Sequence, residues 1–164
     1  ARAFGFPVFY GDATRLDLLR ISGAATARVL VVAVDEPEQS LKIIELAQQH
    51  FPQLAIVARA RDVTHWYQLR DRGITLLERE VFESSLRSAR SVLELLGHTP
   101  EEARLAARRF RQHNLALLEQ MYPHHKDRAK LIAVAKQGRQ QLEEQIARER
   151  ELQASRQRPQ DHET

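Results

Sequence analysis

No cysteine occurs in the 164 residues. That excludes disulfide staples, thiolate nucleophiles and cysteine-based zinc sites, and it fits a reducing compartment. Long apolar runs are lacking too. A stretch such as Val29-Leu30-Val31-Val32-Ala33-Val34 falls far short of the roughly 20 residues that span a bilayer. Any membrane connection then runs through a partner or another part of the chain, and the first residues do not read as a signal peptide. Glycine is scarce, with 6 residues, and no GxGxxG occurs. The phosphate-gripping turn that normally opens a nucleotide fold is therefore not in this sequence. One-sided charge is also absent. The 25 basic and 22 acidic residues are interleaved and leave a formal net charge of +3, so no basic stripe supports a nucleic-acid role.

What is present is 43% hydrophobic and 29% charged residues, the balance of a globular domain with a core and an appendage. The first half alternates two kinds of segment. Pro7-Val8-Phe9-Tyr10 is β-prone and closed by Gly11-Asp12; Thr14 then precedes a helical stretch ended by Gly23. Val29–Val34 reads as a strand buried on both faces, the mark of a parallel sheet. Asp35 is placed to cap the next helix, with Pro37 in its first turn. Leu54-Ala55-Ile56-Val57-Ala58 repeats the strand, a helix around Trp66, Leu69 and Arg72 ends at Gly73, and Ile74-Thr75-Leu76-Leu77 makes a short final strand. Strand–helix alternation with short connections predicts an α/β, Rossmann-like parallel sheet.

From about Glu80 the strands cease. Phe82, Leu86, Ala89, Leu93 and Leu96 form an apolar helical stripe closed by Gly97. Pro100 opens a second helix, with Ala103, Ala107, Phe110, Leu117 and Met121 on one face, and Pro123 breaks it. The rest is rich in Lys, Arg, Glu and Gln, with a thin seam through Leu131, Ala135, Leu142 and Ile146. It predicts a solvated helix that packs on a partner or frays, and a disordered tail after about Gln153. The domain reading is 1–97 for the sheet part, 98–123 for a helical subdomain and 124–164 for the charged helix and tail. In the usual 3-2-1-4-5-6 strand order, a Val8–Tyr10 strand three would have no neighbour here. The expectation is that an N-terminal part of the fold lies outside this sequence.

The run Val8-Phe9-Tyr10-Gly11-Asp12-Ala13-Thr14, followed by Asp17-Leu18-Leu19, resembles the Kef-type glutathione-regulated potassium efflux proteins. Four further blocks resemble the same family in order: His50-Phe51-Pro52, Ala58-Arg59-Ala60-Arg61-Asp62, Glu78-Arg79-Glu80 before Phe82, and Phe110-Arg111 leading to Asn114. The resemblance implies a regulatory domain of the RCK or TrkA-N type, on the cytoplasmic face of the bacterial inner membrane. Its partners would be a second copy, the membrane domain of a potassium–proton antiporter, and possible ancillary oxidoreductase-like subunits. It implies no enzyme activity of its own. Glutathione would hold the system closed and its S-adducts open it, with AMP or NAD(H) bound by the complete domain.

The resemblance also implies site residues: Arg79, Asn114, Phe4 and Asp62 for glutathione, and Asp12 and Ala13 at the strand-three end of the nucleotide pocket. Each has a plainer reading. Arg79 follows a short strand, where a guanidinium can grip a carboxylate in two parallel bonds; equally, it can pair with Glu78, Glu80 or Glu83. Asn114 shares a stripe with Phe110, Leu117 and Met121, so it faces inward and needs partners from a ligand or a helix interface. Phe4 fits core packing, and Arg59, Arg61 and Asp62 fit structural ion pairing. His124-His125 completes no metal constellation, and Ser84, Ser85 and Ser88 have no base at hand. Two other functions stay open: a regulator of potassium transport that senses nucleotide alone, and a fragment of an NAD-dependent oxidoreductase.

Overall fold

The structure, a computed structural model, describes residues 9–156. It divides into two compact units, Ala1–Leu86 and Arg87–Thr164. In the first, helices α1 (Leu16–Ile21), α2 (Pro37–His50) and α3 (Val63–Asp71) alternate with strands β1 (Val29–Val32), β2 (Ala55–Ala60) and β3 (Leu76–Arg79). Both strand pairs are parallel and the order is β1-β2-β3. This is the Rossmann-like α/β architecture read from the sequence, in sequential order as in one half of a doubly wound sheet.

The punctuation falls where backbone chemistry demands it. Pro37 stands at the start of α2, where its missing N–H costs nothing. Gly73 adopts φ +75° and lets Ile74 N–H reach back to the Leu69 carbonyl at 3.1 Å, closing α3. The core lies between α2, α3 and one face of the sheet. Ile44, Ala47, Leu69, Ala58 and Ala60 are buried there, and a second cluster joins Leu19 of α1 to Ala47, Phe51 and Leu54. Each large apolar side chain so buried contributes about 1.5–3 kcal/mol.

Three sequence expectations change. β1 is not buried on both faces: Val32 is buried, but Val29 and Val31 are 54% and 65% exposed. Register explains it. Residues paired across a parallel sheet point to one side, so Val32 and Ala58 share the helix-covered face, while Val31, Val57 and Leu76 line up on the other. Within this unit no helix among the described residues covers that second face, where Val29, Val31 and Leu76 are exposed. Asp35 does not cap α2 either. The N-cap is Glu36, without a side-chain bond, because the Asp35 carboxylate is held by Arg59 at 2.9 Å. Of the strand expected at Pro7–Tyr10, Pro7 and Val8 lie outside the described residues, and Phe9 and Tyr10 are exposed and in no strand. A segment with no neighbouring strand has no ladder to join.

Helix α4 (Phe82–Leu95) begins in the first unit. It ends as expected at Gly97, φ +96°, with His98 N–H bonded to the Leu93 carbonyl at 3.1 Å. Of the expected stripe, Leu86 is buried and Phe82 and Leu93 are half-buried, whereas Ala89 and Leu96 are exposed; Val92 and Leu95, outside the stripe, are exposed too.

The second unit pairs α5 (Pro100–Met121) with α6 (Arg128–Arg156) across a short turn, Tyr122–His124, that contains Pro123. A reciprocal cap starts α5: Thr99 Oγ1 accepts from Glu102 N–H at 3.2 Å, and the Glu102 carboxylate accepts from Thr99 N–H at 2.8 Å. The charged α6 does not need an outside partner to find a surface. Leu131, Val134, Ala135, Gly138 and Leu142 recur at helical spacing with reduced exposure, Gly138 is the buried centre of that line, and Arg109 of α5 forms an ion pair with Glu149. Ile146, expected in the seam, is exposed, and the helix continues past Gln153 to Arg156.

Candidate functional site

The carboxyl edge of the sheet gathers charged side chains because β3 ends on Arg79 and β2 is followed at once by Arg61 and Asp62. Ligands of open α/β sheets bind at this edge. Arg79 is the last residue of β3, in register with Ala60 of β2. Its guanidinium carbon stands 3.6 Å from the centroid of the Phe82 ring, the first residue of α4. Burial lowers the Arg79 pKa, an effect that the charge of nearby Glu83 opposes. The side chain is therefore a partly desolvated cation stacked on an aromatic ring, with no hydrogen-bonded carboxylate among the described residues. Such a group is prepared for a planar anion.

Asp62, two residues past β2, is the N-cap of α3. Its Oδ1 accepts the His65 N–H at 2.7 Å, so one carboxylate oxygen has a structural task. Arg59 and Arg61 are occupied as well. Arg59 donates to the Ala33 carbonyl and to the Asp35 carboxylate, both at 2.9 Å, and Arg61 donates to the Asp35 carbonyl at 3.1 Å. The two arginines stitch the β1–α2 connection to the end of β2. Structural pairing accounts for both.

Asp12 and Ala13 precede α1. Asp12 Oδ1 accepts from the Thr14 N–H at 2.9 Å and hydroxyl at 2.6 Å, a local turn that lowers its pKa through these bonds first and through Lys42 and Arg15 to a smaller degree. Asp12 is exposed, and its carboxylate keeps acceptor capacity beyond the two Thr14 bonds. Nothing in this stretch grips a phosphate, since no glycine-rich turn opens a helix here.

Asn114 lies in the second unit, in the middle of α5. Its Oδ1 is buried and has no hydrogen-bond partner. Arg90 Nε of α4 is likewise buried and unpartnered; sequence periodicity gave no sign of it. An unmet buried acceptor costs about 1–3 kcal/mol, which a bound donor would recover. Phe4 lies outside the described residues. Among those described, no group of His, Asp and Glu side chains could hold a metal ion, and no helix is long and apolar enough to cross a membrane.

His65 is the edge residue that sequence reasoning overlooked. It is 1% exposed, and its Nδ1 accepts the Arg61 N–H at 3.2 Å. The only available signal was its place beside Trp66 on the inward side of α3.

Comparison with known proteins agrees with this architecture in both halves. Residues 1–79 match the TrkA-N domain, and residues 84–163 match the potassium efflux system KefB C-terminal domain. The glutathione-regulated potassium-efflux system protein KefC of Escherichia coli O139:H28 is 47% identical over 150 residues, 92% of this chain, and the proteins of the same description from Shigella boydii serotype 18 and Escherichia fergusonii match equally. The chain spans 24% of the length of these curated relatives. The solved Kef C-terminal domain of Shewanella denitrificans, in its AMP-bound form, superposes with a TM-score of 0.69 at 46% identity, covering 71% of this chain and 73% of that one. A parallel Rossmann-like sheet followed by long helices, carried by a sequence this similar, places the chain in the family of Kef potassium-efflux C-terminal domains.

Proposed function

We propose that this chain is the ligand-sensing part of a potassium–proton antiport system, on the cytoplasmic face of the bacterial inner membrane, closed by glutathione and opened by glutathione S-adducts. The observation that carries the reading is Arg79: a partly desolvated guanidinium at the carboxyl edge of the sheet, stacked on Phe82 and with no hydrogen-bonded carboxylate among the described residues. Glutathione offers two carboxylates to such a group. Asn114, in the other unit, separately holds a buried Oδ1 with no hydrogen-bond partner, and a peptide amide is a donor such an acceptor could use. The names of the KefC relatives, which include glutathione regulation, support the choice of ligand.

A nucleotide would belong to the complete domain. The AMP-bound Shewanella denitrificans neighbour supports it, and Asp12 with Ala13 would face its base and ribose. The phosphate grip would have to come from residues other than these. A membrane antiporter domain and a second copy of this chain are the partners the reading requires, and the exposed Val92 and Leu95 of α4, with Leu96 just beyond it, offer apolar surface for association. The function proposed is binding and not catalysis: a ligand that fits one conformation shifts the population, and an adduct that fits another reverses it.

The test is potassium loss from cells that make the complete protein. Electrophile treatment should trigger rapid loss only when glutathione is present, and Arg79→Ala should release potassium without the electrophile. Glutathione-independent behaviour of both proteins would refute the reading and favour a regulator that senses nucleotide alone.

A further inference from the structure

His65 sits in the first turn of α3 with almost no exposure, and it links two backbone amides at the carboxyl edge of the sheet. Its own N–H is bonded to Asp62 Oδ1 at 2.7 Å, and its ring Nδ1 accepts the Arg61 N–H at 3.2 Å. The second bond dictates the state of the ring. Nδ1 accepts only while it carries no proton, so the proton of the neutral ring is on Nε2, and Nε2 is buried with no partner. Adding a proton to Nδ1 would set two donors against each other and bury a charge.

We propose that His65 is a proton-sensitive latch, a positioning residue that fixes the Arg61–Asp62 turn when neutral and frees it when protonated. This rests on the reading above that the carboxyl edge is the ligand side, and it adds a regulatory input to that edge. Releasing the Arg61 amide loosens the turn that presents Asp62 and anchors Arg61 to the Asp35 carbonyl.

The surroundings favour the neutral ring. Burial is the largest influence and lowers the His65 pKa; Asp62 opposes this, and Arg72 reinforces it. From α2, Glu45 holds Arg72 at 2.7 Å. Just past β2, Arg61 presents its backbone N–H, while its guanidinium and that of Arg59 in β2 turn to the β1–α2 connection. At the end of β3, Arg79 has Glu83 as its charged neighbour. Only Asp62 among these pulls a proton onto the ring. Acidification below the ordinary histidine range of about 6.5 is thus what opens the latch.

Amide hydrogen exchange resolved at Arg61, in the complete protein, tests this directly. Between pH 7.5 and pH 5.0 the Arg61 protection factor, corrected for intrinsic exchange, should fall about tenfold, the fold-change that one ordinary hydrogen bond supplies. In His65→Asn, whose carbonyl oxygen replaces Nδ1 as an acceptor but does not titrate, protection should hold at both pH values. In His65→Leu it should be low at both. Equal pH dependence in wild type and His65→Asn, or wild-type protection that does not change with pH, would overturn the proposal. A parallel glutathione titration separates the two readings: protection that follows His65 in a protein that never binds glutathione supports the latch and refutes the ligand.

Discussion

The Arg79 guanidinium carbon lies 3.6 Å from the centre of the Phe82 ring, across the short link from the last residue of β3 to the first of α4. That stacking fixes a long side chain before any ligand arrives, so less rotamer entropy remains to be lost on binding. Phe82→Ala should therefore weaken glutathione binding without removing the charge that receives it. We expect roughly a three- to tenfold loss of affinity, the size of a partly desolvated cation–π contact. Calorimetric titration of the variant checks this; unchanged affinity would mean that the stack has no part in recognition.

Gly138 governs the α5–α6 pair. A Cβ at that position would stand 2.5 Å from Leu117 Cδ1 and 3.1 Å from its Cδ2. The contact meets the end of a flexible side chain, so a single methyl can be accommodated by a Leu117 shift, whereas a branched side chain cannot. Gly138→Val should lower stability by about 1–3 kcal/mol. Adding Leu117→Ala should restore part of that loss, and the double-mutant cycle should show coupling. Thermal or denaturant unfolding of the four proteins would measure it, and strict additivity would contradict the packing.

The Thr99–Glu102 cap predicts a smaller effect. Thr99→Ala removes the acceptor for the Glu102 N–H and should cost about 1 kcal/mol. Thr99→Ser should cost little, because the hydroxyl is kept. Equal destabilisation by both would point to the Thr99 methyl group and not to its oxygen.

Acid should destabilise the first unit through His65. Its folded pKa is lowered by burial, so between that value and the unfolded value of about 6.5 the unfolded chain binds more protons. Stability is then complete above about pH 6.5 and declines as pH falls below it. The carboxylates whose pKa values are lowered, Asp12, Asp17, Glu102 and Asp127, lose their contributions only at lower pH, below their ordinary range. Thermal unfolding at pH 7.5 and 5.5 should show a drop for wild type and a reduced drop for His65→Asn; identical drops would exclude His65 as the source.

Much of this was legible in the sequence because it is local. Pro37, Gly73, Gly97 and Pro100 mark helix ends through backbone constraints that act within a turn, and the apolar runs at residues 29–34 and 54–58 announce strands by composition. What escaped is lateral. The Asp35 carboxylate looks like a helix cap until Arg59, 24 residues away, takes it. The exposure of Val29 and Val31 depends on which sheet face the helices cover, a question that no single strand answers. Gly138 reads as a weakness in a helix until Leu117 is seen against it. Among the candidate site residues, spacing indicated the position of Arg79 at a strand end and the inward turn of Asn114. Their chemistry is a matter of burial: one is desolvated and the other has an unmet acceptor. Asp62 carries an N-cap duty that the sequence did not distinguish from ligand binding.

Calorimetric titration of glutathione into the complete protein, wild type against Arg79→Ala, tests the central claim most directly. The account predicts saturable, one-site binding to wild type and at least about a thirtyfold loss in the variant, equivalent to roughly 2 kcal/mol for a charge-assisted carboxylate grip. Equal affinity in the two proteins, or no heat of binding to wild type, would contradict it.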